Sequence, residues 1–259
     1  MAIQSVQRAL SILALFSAEN SRLGITDISK LMSLPKPTVH GLVQTLILEG
    51  FLVQDPETRK YSLGLKIYEL GQFLSGTLKI NQIGGPTAQR LSKSTGYMTR
   101  VAIWDRDMVL ITMNLFPTID DTYLFRQLGL GPRVPAYSSA VGKAILSTFS
   151  PEKLDAYLSR NELIPHTPNT ITSADQFKKE LDSTRSSGFG VECEEYLNGL
   201  ACISAPIYDS TGGSSSAISI SGAVELLKDP NLKQIKARLK QDAAEISIGM
   251  GCPPSMLYK

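Results

Sequence analysis

The sequence predicts an α+β protein made of a small N-terminal helical domain and a larger C-terminal domain with an antiparallel sheet. The chain has 259 residues, a length that suits two domains. Its composition, with 42% hydrophobic and 19% charged residues, is that of an ordinary globular protein. Apolar residues recur at helical spacing in the first part of the chain, whereas the second part interleaves strand-like and helical patterns.

The N-terminal elements follow the order of a winged helix-turn-helix. Apolar residues at helical spacing predict a first helix over 4–18, and a second helix follows Thr26. The stretch MSLP then breaks the chain, Pro37 suits the first turn of a third helix, and Gly50 suits the residue just after its end. Two short β-prone runs, FLVQ and KYSL, are joined by DPETR and predict a hairpin that forms the wing.

The C-terminal elements come after a connecting helix over 64–79. The sequence Gly84-Gly85-Pro86 predicts a break, and we expect the domain boundary just before it. The elements that follow are a helix near 87–95, strands near 97–104 and 108–115, helices near 138–148 and 174–187, strands near 200–208 and 216–221, and a helix near 230–248. The predicted domains are therefore a winged helix-turn-helix over 1–64, a linker helix over 65–79 and the larger domain over 80–259.

Charge and cysteine content exclude few functions. The net charge is +2, and the first 75 residues carry seven Lys and Arg against six Asp and Glu, so a DNA-binding surface must come from where the charges lie. The three cysteines have no metal-ligand spacing, and their odd number argues against a disulfide framework, so we expect no metal and no cofactor. No signal-peptide pattern or membrane-spanning run occurs in the sequence, and we expect a cytoplasmic protein with no membrane partner.

The third helix carries a glycine on its outer face. Val39, Val43 and Leu46 define the inner face, and Gly41 lies opposite them, where glycine costs about 1 kcal/mol relative to alanine. A face without a side chain lets the helix backbone approach a base edge or a phosphate in the major groove. The candidate DNA-binding residues are Lys36, Pro37, Thr38, His40, Gly41, Gln44 and Thr45 on this helix, with Arg59 and Lys60 at the hairpin tip.

Polar residues on two C-terminal strands predict a small-molecule site. AISIS (217–221) alternates and places Ser219 and Ser221 on one face, and the neighbouring strand LACISAP brings Cys202 to an interior almost without charge. The helix that begins in YSSAVGKAIL, with Ser138 or Ser139 as its cap, is expected to present the N–H groups of Ala140, Val141 and Gly142 to a carboxylate.

Four segments together resemble the IclR family of bacterial transcriptional regulators. They are SVQRALSILALFS, ITDISKLMSLPKPTVHGLVQTLILEGFLVQDPETRKYSLGLKIYELG, AVGKAILS and GLACISAPIYDSTGGSSSAISISG. The resemblance covers nearly the whole chain. It implies a winged helix, a linker helix and an effector-binding domain with a GAF/PAS-like antiparallel sheet, in homodimers that often pair into tetramers on DNA.

The resemblance also implies an effector and its site. Family effectors are commonly small organic acids, and the positions that match the family's pocket are Ala140, Val141, Glu192, Leu200, Cys202, Ser219 and Ser221. Many family members carry an arginine that contacts DNA where this sequence has Gly41, so the operator sequence does not carry over.

Two rival functions fit parts of the sequence. The winged helix could serve protein contacts only. Ser139 and Lys143 lie at i and i+4 and could form the Ser-Lys pair of a hydrolase, although a helix cap and a solvent-facing lysine are the plainer interpretation. The only histidines are His40 and His166, and His40 belongs to the DNA-facing helix, so a Ser-His-Asp or Cys-His site lacks its base. We therefore predict no catalytic residue and no enzymatic activity.

The sequence thus predicts a ligand-responsive transcriptional regulator, acting as repressor or activator. Its predicted partners are double-stranded DNA with a pseudo-palindromic operator, a small organic acid, and further copies of itself in a dimer or tetramer. Outside these sites we expect His166 to be exposed without a role. We expect core packing, rather than a cover over the pocket, for Trp104, Tyr123, Phe125 and Leu128.

Overall fold

The computed structural model describes residues 2–17, 19–118 and 131–257. They fall into two units, Met1–Gly76 and Thr77–Lys259. Helices and antiparallel strands both contribute, so the predicted α+β class is confirmed. None of the helices in the described ranges is long and apolar enough to cross a lipid bilayer.

The first unit has the predicted helix-turn-helix order. Its elements are α1 (Gln4–Leu13), α2 (Ile25–Met32), α3 (Lys36–Leu48), β1 (Leu52–Gln54), β2 (Tyr61–Leu63) and α4 (Leu65–Thr77). β1 and β2 pair antiparallel, and a single bridge joins Leu23 to Tyr61 as a third short partner. Ile12, Ile28 and Val43 are fully buried between the three helices. This apolar cluster fixes how α3 lies against α1 and α2.

The turn between α2 and α3 reverses the chain within three residues. Ser33 ends α2 in the left-handed region with φ 52°, and the Ser29 hydroxyl donates to the Leu34 carbonyl at 2.6 Å. Pro37 lies in the first turn of α3, where its missing N–H leaves no helical hydrogen bond unmade. Gly50 follows α3 with φ 74°. Both ends of α3 are therefore fixed by local geometry.

The second unit is built around an antiparallel sheet, which has six strands among the described residues. Its elements are α5 (Lys79–Thr95), β3 (Met98–Asp105), β4 (Met108–Leu115), β5 (Arg133–Pro135), α6 (Ala140–Leu146), α7 (Pro151–Arg160), α8 (Ala174–Ser187), β6 (Gly190–Cys193), β7 (Leu200–Tyr208), β8 (Ser214–Ala223) and α9 (Leu232–Met250). The strand order is β5-β4-β3-β8-β7-β6, and every neighbouring pair is antiparallel.

The two faces of this sheet pack against different helices. One face is aliphatic: Ile203 and Ile218 are fully buried in the cluster formed with α5 and α9. The other face packs Ala217 in the cluster that contains Val141 of α6 and Phe177 of α8. Since side chains alternate along a strand, Ser219 and Ser221, which flank Ile220, lie on the second face, as the sequence predicted.

The predicted break at Gly84-Gly85-Pro86 is wrong. All three residues lie inside α5, which begins at Lys79. A Cβ atom on Gly84 would lie 3.7 Å from Ile246 of α9, and one on Gly85 would lie 3.0 Å from Met113 of β4. The contact at Gly84 is an ordinary van der Waals distance, whereas Gly85 lets α5 approach the sheet closely, so this segment is packed helix rather than a turn. The two units meet at Gly76 and Thr77, near the predicted end of the linker helix.

Candidate DNA-binding surface and effector cavity

The outer face of α3 is open to solvent. Val39, Val43 and Leu46 are buried on the inner face. On the outer face Lys36, Pro37, Thr38, His40, Gly41 and Thr45 are exposed and Gln44 is half-buried. The structure therefore brings all seven helix residues predicted for DNA binding onto one surface, which we call the α3 surface.

Gly41 has no packing reason to be a glycine. A Cβ atom built on it would meet nothing within 4 Å among the described residues. It has an ordinary helical backbone, so positive φ does not require glycine either. The Thr45 hydroxyl donates to the Gly41 carbonyl at 3.1 Å, which holds that side chain close to the helix beside the bare position. The α3 surface is thus flat at its centre.

The hairpin tip is held by hydrogen bonds to one aspartate. Asp55 Oδ1 accepts from the Glu57 and Thr58 N–H groups, both at 2.9 Å, and these bonds are the main cause that lowers the pKa of the carboxyl. Arg59 follows in the left-handed region with φ 58°, and its carbonyl accepts from Gln54 Nε2 at 3.1 Å. This tight loop places the side chains of residues 59 and 60 in solvent.

A third cation joins the two predicted at the tip. The Arg22 side chain is 62% exposed and its Nη1 lies 3.4 Å from Asp55 Oδ2. Arg22 comes to the hairpin because the bridge from Leu23 to Tyr61 draws its segment alongside β2. Sequence analysis missed it, since a single bridged pair leaves no periodic pattern. With Arg59 and Lys60 it gives the tip a positive charge suited to a phosphate backbone.

A narrow cavity lies between the second sheet face and the start of α6. Its volume is about 20 Å³, and it is lined by Arg100, Val134, Ser138, Ser139, Ala140, Val141, Glu192, Tyr196, Leu200, Cys202 and Ser219. Six predicted effector residues are in that lining: Ala140, Val141, Glu192, Leu200, Cys202 and Ser219. A volume of this size holds about one water molecule, so a larger molecule enters only if the walls move.

Strand register brings the polar residues of the cavity wall together. Arg100 pairs with Ser219, and in the next row Ser221 pairs with Cys202, which pairs with Glu192. All five are at most 6% exposed. Ser221 does not line the cavity itself but lies directly behind it, next to Cys202. Where these residues lie, the second face of the sheet is therefore polar but inaccessible to solvent, from β3 across β8 and β7 to β6.

Glu192 is the buried carboxylate of this wall. Its Oε1 accepts from the N–H groups of Glu195 at 2.9 Å and Tyr196 at 3.3 Å, whereas Oε2 has no hydrogen-bond partner among the described residues. Burial is the main cause that raises the pKa of this carboxyl to about 7. Burial also raises the pKa of the Cys202 thiol to about 12, so the thiol is neutral near pH 7.

The start of α6 differs from the prediction at Gly142. Its N–H donates to Ser139 Oγ at 3.3 Å, so Ser139 is the helix cap and this N–H group does not face a ligand. A Cβ atom on Gly142 would lie 2.1 Å from the Ala136 carbonyl oxygen. The structure therefore does not bring Gly142 into the cavity lining, and this glycine allows α6 to pack against the preceding loop.

Lys143 is not the solvent-facing lysine that the sequence suggested. It is fully buried, and its Nζ lies 2.5 Å from Glu195 Oε1, 2.9 Å from the Val191 carbonyl oxygen and 3.3 Å from Glu180 Oε1. An ammonium group has three donors, and these acceptors account for all of them. It is therefore held as a cation away from the role that a Ser-Lys pair with Ser139 requires.

The aromatic residues fall into three groups. Trp104 packs edge-on against Phe149 and Tyr157, with ring centroids 5.1 Å and 5.5 Å apart, so core packing is confirmed. His166 is exposed, but its Nε2 lies 3.0 Å from the Tyr137 hydroxyl and its ring contacts Tyr137 and Tyr196, so it has a structural role that we did not predict. Tyr123, Phe125 and Leu128 lie outside the described residues.

Two family models match the chain in the order of its units. The model of the IclR helix-turn-helix domain matches residues 5–56. The model of the bacterial transcriptional regulator IclR C-terminal domain matches residues 73–248. The chain belongs to the IclR family. Members of the IclR family are DNA-binding transcriptional regulators rather than enzymes.

Individual relatives align with the IclR-family chain over nearly its full length. The HTH-type transcriptional regulator XynR of Escherichia coli (strain K12) is 34% identical over 97% of this chain and 98% of its own. The IclR crystal structure from Thermotoga maritima is 28% identical, with a TM-score of 0.74 over 96% of this chain and all of its own. An IclR homolog from Microbacterium hydrocarbonoxydans, solved in complex with 4-hydroxybenzoate, has the same fold with a TM-score of 0.78, 21% identity, and 96% and 99% coverage.

Sequence analysis left five residues of the cavity lining out of the effector site. Ser138 and Ser139 were named only as possible helix caps, and Arg100, Val134 and Tyr196 were not named at all. A signal for Arg100 was available, because it is the one charged residue in the strand-like run MTRVAIW (98–104). A charged side chain in a buried strand requires polar partners, so this arginine predicts polar groups on the face of the sheet to which it points. Val134 and Tyr196 lie in segments whose pairing was not predicted.

Proposed function

We propose that this IclR-family chain reads operator DNA with the α3 surface and responds to a small organic acid bound in the cavity between the sheet and α6. The observation that carries the DNA part is the exposed Gly41, which has open space around it at the centre of a surface bearing Gln44 and Thr45. A glycine that costs helix stability without serving the interior is best explained by what approaches from outside.

The α3 surface suits the major groove of B-DNA. That groove admits one helix, and the backbone at Gly41 can come close to a base edge while Gln44 reaches an adenine. Lys36 at the helix N-terminus and the cations at the hairpin tip would contact phosphates and set the register. In a dimer, two such helices would enter successive major grooves about 34 Å apart on a pseudo-palindromic operator.

The cavity supports the effector part of the proposal. It combines an apolar wall, including Val141 and Leu200, with buried polar atoms, and this is the usual composition of a small-molecule site. The homolog solved with 4-hydroxybenzoate binds a small organic acid. A coupling of about 1–3 kcal/mol between cavity and DNA would change operator affinity roughly 5- to 150-fold.

The remaining parts of the proposal concern catalysis, assembly and location. We propose no catalytic role, since the Lys143 ammonium that a Ser-Lys mechanism needs is ion-paired in the interior. We propose a homodimer or a tetramer, because a pseudo-palindromic operator requires two α3 surfaces. We also propose a cytoplasmic location, because that is where a bacterial operator lies.

The DNA part is tested by fluorescence anisotropy with the DNA upstream of the chain's own gene. Affinity should fall steeply as salt rises, because phosphate contacts release counterions. Gln44→Ala should change which sequence variants of the site bind best, whereas Arg59→Ala should weaken all of them alike and reduce the salt slope.

The control is Lys233→Ala, which removes one exposed charge on α9, in the other unit, and should change neither quantity. Binding that ignores salt, or identical sequence profiles for Gln44→Ala and Arg59→Ala, would instead favour a winged helix that contacts protein.

A further inference from the structure

We propose that the effector is a hydroxylated carboxylic acid, with its carboxylate bound by the Arg100 guanidinium and one of its hydroxyl groups donating to Glu192 Oε2. This inference rests on the proposed function, because it names the ligand class of the same cavity. It adds two roles. Arg100 selects for the acid group, and Glu192 selects for the hydroxyl.

Arg100 supplies the positive charge of the cavity. It is 5% exposed and lines the cavity from β3, near the centre of the sheet. Its Nε donates to Asn114 Oδ1 at 3.1 Å on the neighbouring strand, which fixes the plane of the guanidinium group. A guanidinium remains protonated and matches a carboxylate with two parallel N–H donors, so a cavity with this wall favours an anion.

Glu192 supplies an acceptor at the opposite wall. Backbone N–H groups hold Oε1, and Oε2 is buried without an N–H or O–H donor among the described residues, with only the weakly donating Cys202 thiol beside the carboxyl. An unpaired carboxylate oxygen in a dry site costs free energy that a donor on a ligand would recover. The hydroxyl of Ser138 lines the same cavity and is likewise unpartnered among the described residues, so the site offers more than one place for a hydroxyl group.

The positions of the two walls suit one small molecule. Arg100 on β3 and Glu192 on β6 are separated by three strand spacings, or about 14 Å between their backbones. Both side chains point to the same sheet face and both line the cavity, so they approach it from opposite ends. Apolar Val141 and Leu200 belong to the same lining, so a small molecule that contacted both polar groups would also contact an apolar wall.

A hydroxyl suits Glu192 better than an ammonium does. An ammonium group on the ligand carries a full charge and must lose its water, and the lining already contains the Arg100 guanidinium, which repels it. A hydroxyl donates to Oε2 and accepts from a neighbouring serine at little desolvation cost. The inference therefore commits to hydroxy acids, and amino acids become an outcome of the test.

The test is a binding comparison on the full chain, by thermal shift and titration calorimetry. The aromatic set of probes is 4-hydroxybenzoate, benzoate, 4-hydroxybenzamide and 4-(aminomethyl)benzoate. The aliphatic set is 3-hydroxybutyrate, butyrate, 3-hydroxybutyramide and 3-aminobutyrate, with gluconate as a polyol acid. The hydroxy acids of at least one set should bind on the order of 10-fold more tightly than the deoxy acid, the amide and the ammonium analogue, since a site built to hydrogen-bond a ligand hydroxyl rejects analogues without it.

Two variants assign the contacts. Arg100→Gln should lose the preference for acid over amide, with Arg100→Lys keeping part of it. Glu192→Gln should keep the acid preference and lose the preference for hydroxy over deoxy acid. Operator binding in the absence of effector shows whether each variant is folded. If Arg100→Gln does not bind the operator, Arg100→Lys and Glu192→Gln are used for the comparison instead.

Each outcome decides a different point. Equal binding of hydroxy and deoxy acids, tighter binding of the amino acids, or an unchanged acid preference in the Arg100 variants overturns this inference while ligand-responsive regulation stands. A protein that binds its operator but responds to no acid in either set, by melting temperature or by operator affinity, overturns the effector part of the proposed function together with this inference.

Discussion

Gly41 occupies a helix position at which a Cβ atom would contact no other described residue. Open space surrounds it among the described residues, and its backbone is ordinary helix. Alanine restricts the unfolded chain and favours the helix, so the present residue lowers the stability of α3. If the proposed DNA contact is made here, stability favours alanine at this position and DNA binding favours glycine.

We predict that Gly41→Ala raises the free energy of unfolding by about 1 kcal/mol and weakens operator binding. The first effect follows from helix propensity, and the second follows from the methyl group that holds the backbone away from DNA. Chemical denaturation and anisotropy measure the two effects. Gly71→Ala is the matched control: Gly71 is also a helical glycine in open space, so it should give the stability gain without the loss of affinity. An unchanged affinity in Gly41→Ala would remove Gly41 from the contact surface.

Arg100 and Lys143 show why single residues were harder to predict than patterns. Both are charged residues in otherwise apolar segments, and both are buried. The acceptor closest to Lys143 is Glu195, 52 residues away, so no local pattern reveals that the lysine is paired. Their placement depends on which strands and loops meet, and composition alone does not give that.

At the scale of elements, α6 is tied to its surroundings through one buried cation. The Lys143 ammonium connects α6 to the β6 backbone, to the loop after β6 and to Glu180 on α8. That loop also provides the N–H groups that hold Glu192. The contacts of Lys143 with Glu180, Val191 and Glu195 therefore hold the loop whose N–H groups bind Glu192 in the cavity lining.

We predict that Lys143→Met lowers the free energy of unfolding by about 3–5 kcal/mol, because it leaves Glu195 buried without its cation. The double variant Lys143→Met/Glu195→Gln should recover a large part of that loss. Lys178→Met is the control, since Lys178 forms an exposed pair with Asp155 and its loss should cost less than about 1 kcal/mol. Denaturation with a constant m-value measures all three, and a small effect of Lys143→Met would mean that water reaches the cluster.

The elements that the sequence predicted well are those with local signals. The three N-terminal helices, the hairpin and the alternation in β8 follow from spacing and turn residues alone. α5 was cut short because Gly84-Gly85-Pro86 is typical of a turn, whereas Gly85 makes room for Met113, which is distant in sequence. β5, β6 and α7 were missed, since the two strands have only three and four residues and α7 is a short helix of ten residues.

The same distinction holds for the candidate site. Six positions of the cavity lining follow from the strand alternation and from the family resemblance, but Arg100 enters the cavity only through the pairing of β3 with β8. The strand order, which places that pair at the centre of the sheet, is a long-range property of the fold.

At the scale of the whole molecule, the buried carboxyl makes stability depend on pH. The pKa of Glu192 is about 7 in the folded protein against an ordinary value of 4.5, so the folded state binds more protons between these values. The free energy of unfolding therefore falls as pH rises from about 4.5 to about 7, and it is level above that window. Glu195, Arg100 and the neutral Cys202 thiol face the same carboxyl and are present in wild type and variant alike.

We predict that Glu192→Gln removes this dependence. The difference in unfolding free energy between wild type and Glu192→Gln should change by up to about 3 kcal/mol between pH 4.5 and pH 7.5, in favour of the variant at the higher pH. Denaturation curves across this range measure it. A difference that stays constant with pH would mean that the carboxyl is solvated and titrates as in an unfolded chain.

The small volume of the cavity has a consequence for how tightly a ligand is held. In the conformation described, the space between the sheet and α6 is about 20 Å³, so an organic acid binds only to a form in which these walls have moved apart. The measured affinity is then the intrinsic affinity reduced by the rarity of that open form. Two regulators whose cavities carry the same lining groups can thus respond at very different ligand concentrations. The ligand concentration to which this one responds depends on the population of the open form as well as on the residues of the lining.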